Sequence, residues 1–432
     1  MEISHPNASW TLQYEDGRGT GPQKLQLDGK TLFSFMHCRI DDISDDALDS
    51  TQAHHFHKGG LAVFEGAGIF TQGAPVKLRQ IHRISANTVR ITYDLSWPKA
   101  TSLAKGLELG SVILAPSFQR FFVVTSESDA PQWRQVPALG EPAVSLSPLP
   151  SAIVLENERG LRFEYGLGDD LWRWNQGLNG DYLHATGRLE ISRTSGGRVV
   201  LRRWVAECDS VLEAKLAEAA NAKLRLEALQ RHNEAVKRGE EDTSEPIIPT
   251  VPVSQPLQRD YRFTAYFAWS APELIPVVPE DSTPTSVAMG KHGDLERSTL
   301  TELGAKPALL LDLAALPFQE TSRRSGKATE QPCWESNQAQ SMFRRLIRQL
   351  AEYSNEGTLV LQNLTPGWCD TGTHENRKRA ARHWDVCAIL DQIAWARQVL
   401  GVGWNLVVPQ NGIWAELPSL SCLGAESGFR MV

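Results

Sequence analysis

Thr88-Val-Arg-Ile-Thr-Tyr-Asp-Leu-Ser-Trp-Pro98 is the stretch that decides how this chain folds. Val89, Ile91, Tyr93, Leu95 and Trp97 alternate with polar residues without a miss, the period of a strand with one buried face. Lys77 to Ile84 reads as its hairpin partner, with Ser85-Ala86-Asn87 as the turn. Further along, Leu161, Phe163, Tyr165 and Leu167 repeat the alternation. Glu158-Arg159-Gly160 and Thr194-Ser195-Gly196-Gly197 supply further hairpin turns. Many strands, frequent turns and no intervening helix predict an antiparallel sandwich.

The pattern changes at Cys208. Ser210 to about Arg238 holds neither Gly nor Pro and reads as a long amphipathic helix, its stripe marked by Leu212, Leu216, Ala219, Lys223 and Leu226 and widened by Leu224 and Leu229. Gly239 ends it, and residues 240–256 form an acidic, then Pro-rich linker. Strand alternation returns in Tyr261, Phe263, Ala265, Phe267 and Trp269. The helix and linker therefore read as an insertion in the β-body or a spacer between two sheets. An oligomerisation arm, making the chain a homo-oligomer, and a helix laid across the sandwich both fit.

From Pro307 the order becomes strand, helix, strand, helix, strand: Ala308–Leu313, Glu335–Tyr353, Thr358–Leu364, Glu375 or Asn376 to Leu400, and Trp404–Val408. This is the syntax of parallel βαβ units. The divisions expected are a sandwich body at 1–207, the helix and linker at 208–258, returning strands at 259–306 and a small α/β part at 307–432.

At 432 residues with 41% hydrophobic and 22% charged residues, the chain is long enough for two or three cores. A net charge of −7 argues against a general nucleic-acid or anionic-membrane surface. No apolar run approaches the length that spans a bilayer, so no membrane association is expected. The start lacks a basic and apolar leader, and six scattered cysteines form no CxxC pair, so reduced thiols in the cytoplasm are expected. Thirteen tryptophans against seven tyrosines fit either thick sandwich cores or carbohydrate platforms.

Three clusters hold candidate chemistry. The loop after Thr358–Leu364 carries Cys369, Asp370 and His374, and the helix after it presents His383 and Asp385. At the carboxyl end of a parallel strand these would suit a hydrolase, with His as general base and Asp orienting it. His383 and Cys387, i and i+4 on that helix, would share a face able to clasp a metal, although a metal-free pocket and plain core packing fit as well. No metal is assigned. Second, His54, His55 and His57 lie close together, with His55 and His57 on one face of a strand. Third, Asp169, Asp170, Trp172 and Trp174 crowd what reads as a loop after a strand. Sugars call for this mixture, since their C–H faces pack on flat aromatics while carboxylates take up hydroxyls. A Trp plug at the end of the sandwich fits too. Adjacent acids on a strand would face opposite ways, which disfavours Asp169 and Asp170 as a hydrolytic pair. HExxH, GxSxG and P-loop patterns are absent, and no cofactor is assigned.

Thr88 to Pro98, then Gly106-Leu-Glu-Leu-Gly-Ser-Val-Ile-Leu114 and Phe118-Gln-Arg-Phe-Phe-Val-Val124, resemble the strand series of the galactose-mutarotase-like β-supersandwich superfamily. The resemblance could cover Leu25 to about Leu313. It implies an antiparallel β-supersandwich; the long helical insertion and the small C-terminal βαβαβ layer, which complete a mainly β chain with an α/β C-terminal part, are departures from the superfamily. It also implies a sugar-facing concave sheet. The superfamily's catalytic histidine and glutamate have no placed counterpart here. The resulting expectation is a carbohydrate-associated protein, an enzyme on a sugar or uronic acid being one form of it, with Asp169, Asp170, Trp172 and Trp174 as ligand contacts. The alternatives are an assembly protein and a hydrolase using the C-terminal Cys/Asp/His loop.

Overall fold

The computed structural model describes residues 2–4, 10–14, 22–36, 39–40, 43–44, 48–58, 61–71, 74–85, 87–96, 107–125, 130–147, 150–174, 182–184, 187–205, 210–239, 248–250, 259–270, 285–286, 307–313, 321–324, 327–334, 336–362, 368–369, 383–384, 386–401, 403–407, 417–421 and 430–431. Among these, two large antiparallel sheets form the body. The first, of 12 strands, runs through Trp10–Tyr14, Pro22–Leu27, Lys30–Phe35, Val112–Leu114 and Val199–Val205, with Arg188–Arg193 beside the last. The second, of 10 strands, runs Phe118–Val124, Ala152–Asn157, Arg162–Trp174, Arg259–Ser270, Thr88–Ser96, Ala74–Ser85, Leu61–Thr71 and Leu48–Lys58. The strand Arg259–Ser270 lies between Arg162–Trp174 and Thr88–Ser96. In chain order the helix follows Val199–Val205 of the first sheet and precedes Arg259–Ser270 of the second, so it stands as a spacer between the two sheets.

The two sheets pack face to face through their alternating apolar residues. Trp10 and Trp269 meet edge to face at 5.3 Å, Phe33 lies 4.9 Å from Phe163, and Phe35 lies 5.1 Å from Phe267. The strand that decided the fold, Thr88–Ser96, buries Val89, Ile91, Tyr93 and Leu95 in this core. Gly160 and Gly197 both adopt positive φ, as the two hairpin turns require.

The helix is present as Ser210–Lys237. Its covered line differs from the expected stripe. Ala217, Ala220, Ala228 and Ala235 are buried, whereas Leu226 is 60% exposed and Leu229 38%. Ala217 and Ala220 join the inter-sheet core. Leu224 packs against the same core from a half-buried position, so alanines and a leucine share the covered face.

The C-terminal sheet is parallel, in the order Thr285–Ser286, Ala308–Asp312, Gly357–Gln362, Trp404–Val407. Helix Asn337–Tyr353 starts at Ser336, whose hydroxyl accepts from the backbone of Gln338 and Ala339. It buries Ala339, Met342, Phe343, Leu346, Ile347 and Leu350, a full helical stripe. The helix expected from Glu375 or Asn376 is described as Val386–Leu400. His383 and Trp384 are instead a short strand paired with Trp368 and Cys369. His383 and Cys387 thus do not share a helix face. No helix among the described residues is long and apolar enough to cross a membrane.

A second apolar cluster joins this α/β part to the outer face of the second sheet. Phe122, Val124, Ala152 and Val154 pack there with Leu309, Leu311, Phe343, Ile347, Leu359 and Ile389. Polar contacts reinforce the join. Asn87 donates to the carbonyl oxygen of Pro418 at 3.2 Å. Asp391 takes Arg90 at 2.7 Å and Arg83 at 3.3 Å.

Candidate functional site

Asp169, Asp170, Trp172 and Trp174 belong to the strand Arg162–Trp174, which corrects their expected place in a loop. Pairing with Arg259–Ser270 extends the strand: Asp170 stands opposite Phe263, Trp172 opposite Tyr261 and Trp174 opposite Arg259. A bulge between Leu167 and Asp170 inserts one extra residue. It changes the phase of the alternation, so that Asp170 and Trp172 take the register positions of the core-facing Phe263 and Tyr261, with Trp174 two residues further on opposite Arg259.

The register continues across the second sheet. Asp170, Phe263, Tyr93, Gln80, Phe64 and His55 stand opposite one another in successive strands. The next row is Leu167, Ala265, Ile91, His82, Ala62 and His57. One face of one sheet thus gathers the acid-and-Trp cluster at one side and His55 and His57 at the other. Gln80 and His82 fall between them. Sequence reasoning missed these two, although a signal was present. In Leu78, Gln80, His82, Ile84 two polar residues occupy the buried positions of an apolar alternation.

Gln80 and His82 are buried between the sheets. His82 Nε2 lies 3.1 Å from Gln80 Oε1, and His82 Nδ1 lies 3.3 Å from the Tyr14 hydroxyl of the first sheet. One tautomer satisfies both: Nε2–H donates to Gln80 and Nδ1 accepts from Tyr14. Burial lowers the imidazole from its ordinary 6.5 to about 3 and pushes the Tyr14 phenol above its ordinary value. His82 is therefore a neutral hydrogen-bonding group near pH 7 and not a proton donor.

On the opposite face of the same sheet lies Glu164, fully buried. Its Oε1 accepts from the Tyr266 hydroxyl at 2.6 Å and the Ser419 hydroxyl at 3.0 Å. Its Oε2 accepts from the Ser419 backbone N–H at 2.7 Å. Burial raises its carboxyl above the ordinary range, with these hydrogen bonds opposing. Gly166 makes room for the arrangement, since a Cβ there would fall inside the Tyr266 ring.

Of the C-terminal cluster, Cys369 and His383 are brought directly opposite one another across two short strands. Asp370, His374 and Asp385 lie outside the described residues. Among the described residues no group of three or more His, Cys, Asp or Glu is placed to hold a metal ion.

No protein-family model matches the chain, and no curated protein matches it. Solved structures are similar to it. A galactose mutarotase-like protein from Lactobacillus casei ATCC 334 shares 7% identity over 62% of this chain and 99% of that one, with a TM-score of 0.34. A galactose mutarotase related enzyme from Lactobacillus acidophilus shares 7% over 63% and 98%, with a TM-score of 0.31. The alpha-N-acetylgalactosaminidase NagBb from Bifidobacterium bifidum shares 12% over 94% of this chain, which spans 59% of that enzyme's length, with a TM-score of 0.31. Galactose-mutarotase-like proteins are thus among the structures similar to this chain. At these scores the architecture rests on the chain's own two antiparallel sheets.

Proposed function

We propose that this chain is a carbohydrate-binding protein whose ligand meets the core-side face of the second sheet at the 170–174 end of strand Arg162–Trp174. The observation that carries the reading is the register. Asp170, Trp172 and Trp174 occupy alternate positions of one strand, about 6–7 Å apart, so an acceptor and two aromatics share one face. A sugar needs that combination of a flat apolar surface and a hydroxyl acceptor. Action on a sugar or uronic acid is the finer form of the same proposal. His82 does not supply its general acid, because burial holds the imidazole neutral.

The test is a thermal-shift series with neutral sugars, uronic acids and oligosaccharides. A ligand that binds only the folded chain raises the melting temperature by mass action. One sugar class is expected to raise it, and the Trp172→Ala/Trp174→Ala variant, shown folded by circular dichroism, is expected to lose the rise. A rise that survives in that variant removes the site.

One observation favours a second reading, a thiol hydrolase at Cys369 and His383, which stand opposite each other in register. It requires Cys369 to alkylate faster than an ordinary thiol near pH 7, and His383→Ala to abolish the difference. Equal rates in both proteins dismiss it.

A further inference from the structure

Helix Ser210–Lys237 carries apolar residues on two opposite sides. Ala217, Ala220, Leu224, Ala228 and Ala235 recur at helical spacing and form the covered side. Ala217 and Ala220 lie within the inter-sheet core, and Leu224 packs against it. Ala222, Leu226, Leu229, Asn233 and Val236 form the other side, following one another at intervals of four, three, four and three residues. That alternation is the a and d seam of a heptad repeat, with Leu226 and Asn233 at a. It lies roughly 150° around the helix from the covered side, at 3.6 residues per turn. Leu226 is 60% exposed and Leu229 38%, and Leu139 is the other large apolar side chain so exposed among the described residues. Ala222 and Asn233 are exposed as well, and Val236 is half-buried. A helix surface helps a fold by covering one apolar stripe, so a second stripe on its far side calls for a second cover.

The seam is complementary to a copy of itself. In a parallel, in-register pair Leu226 and Leu229 of the two helices form adjoining apolar layers. Asn233 then meets Asn233 of the second copy, and the two amides donate to and accept from each other. A single Asn at an a position is the device that fixes register and a two-chain state. The antiparallel pair that sets Leu226 against Leu229 puts Asn233 opposite Ala222, where its amide meets no polar group. The edges of the seam agree with the parallel arrangement. Glu218 is exposed and Lys223 follows it by five residues, the g-to-e spacing, so Glu218 of each copy comes beside Lys223 of the other. Lys223 lies 4.0 Å from Glu227 of its own helix, and its ammonium has donors for both carboxylates. Arg225 and Gln230 repeat the spacing with a hydrogen-bonding pair. Because the covered side faces away from the seam, the two sandwich bodies point in opposite directions.

We propose that this seam joins two copies of the chain through a short parallel two-helix coiled coil. The proposal uses neither the carbohydrate reading nor its residues. The seam from Ala222 to Val236 is only about 22 Å long, so the association is reversible and depends on concentration.

The test is sedimentation velocity of the full chain from micromolar to submillimolar concentration. The parent is expected to move from monomer to dimer across that range. Leu226→Asp/Leu229→Asp changes two exposed positions, so the variant is expected to keep the parent's circular dichroism and melting temperature. It should weaken association at least about a hundredfold, the loss of two buried leucines from each copy. Asn233→Cys under mild oxidation is expected to give a covalent dimer that the parent, treated alike, does not form, because the parallel register sets position 233 against itself. A parent that stays monomeric at every concentration leaves the seam to some other cover and overturns the proposal. A dimer undiminished in the leucine variant places the interface elsewhere and overturns it too. A dimer that needs the leucines but gives no link at position 233 overturns the parallel arrangement.

Discussion

The two outer faces of the sandwich differ in what covers them. On the second sheet, strand Ala152–Asn157 is buried at five successive positions, because its inner residues meet the first sheet and its outer ones meet the α/β part. On the first sheet, strand Trp10–Tyr14 alternates between buried and half-buried positions. Its outer neighbours are polar, and Trp204 is the aromatic exception among them. One face is committed to holding the chain's own C-terminal part. Trp133 and Trp204, one at each sheet, are both half-buried and both flanked by two arginines.

The largest effect should come from forcing apart the covered face. Gly166→Ala would push a methyl group into the Tyr266 ring and disrupt the Glu164 clasp. We expect a loss of about 3 kcal/mol in urea unfolding, the upper range for overpacking a dense site. A loss below about 0.5 kcal/mol, the scale of an unremarkable surface change, would mean that this face is not tightly packed.

His82 and Glu164, both fully buried, should give opposite pH limbs. His82 stays neutral in the folded chain down to about pH 3, while in the unfolded chain it takes a proton below 6.5. Stability should therefore fall as pH drops from 6.5 towards 3, by up to about 1.4 kcal/mol per pH unit. His82→Gln should flatten that limb. Glu164 behaves in the other sense. Its folded value is raised, so its contribution is present below the ordinary carboxylate value of 4.5 and is lost as pH rises through the folded value. Glu164→Gln can donate to the Tyr266 and Ser419 hydroxyls while accepting from the Ser419 N–H, and should gain on the parent as pH rises. Parallel stability profiles for parent and variants would contradict these assignments.

The smallest effects should separate two arginines on one carboxylate. Arg90 is 12% exposed and 2.7 Å from Asp391, whereas Arg83 is 56% exposed and 3.3 Å away. Arg90→Ala should cost about 1 kcal/mol and Arg83→Ala less than about 0.5 kcal/mol, the range of exposed pairs. Equal losses in thermal unfolding would show that burial does not grade this contact.

Much of this was legible in the sequence, and the misses have physical causes. The hairpin pair Ala74–Ser85 and Thr88–Ser96, the long helix and the parallel C-terminal order all follow from periodicity and turn residues. Residues 168–174 looked like a loop because Gly, Asp and Arg are poor strand formers. Pairing with residues 259–263, some ninety positions away, overrides that local preference. The stretch before Val386 looked helical because it is rich in Arg, Lys, Glu and Ala. The ladder between His383-Trp384 and Trp368-Cys369 sets a different end point. The tryptophan excess resolves in part into two populations. Trp10, Trp269, Trp334 and Trp404 are core, while Trp133, Trp204 and Trp395 are each flanked by two arginines. Composition does not separate them, but folding Arg188–Arg193 back on Val199–Val205 about the Thr194–Gly197 turn already brings Arg188 beside Trp204.

The most direct test of the central claim is a calorimetric titration of the intact chain with the sugar that gives the largest melting shift. The account predicts one saturable site per chain, lost in Trp172→Ala/Trp174→Ala. Absence of saturable heat with every sugar tested would contradict it.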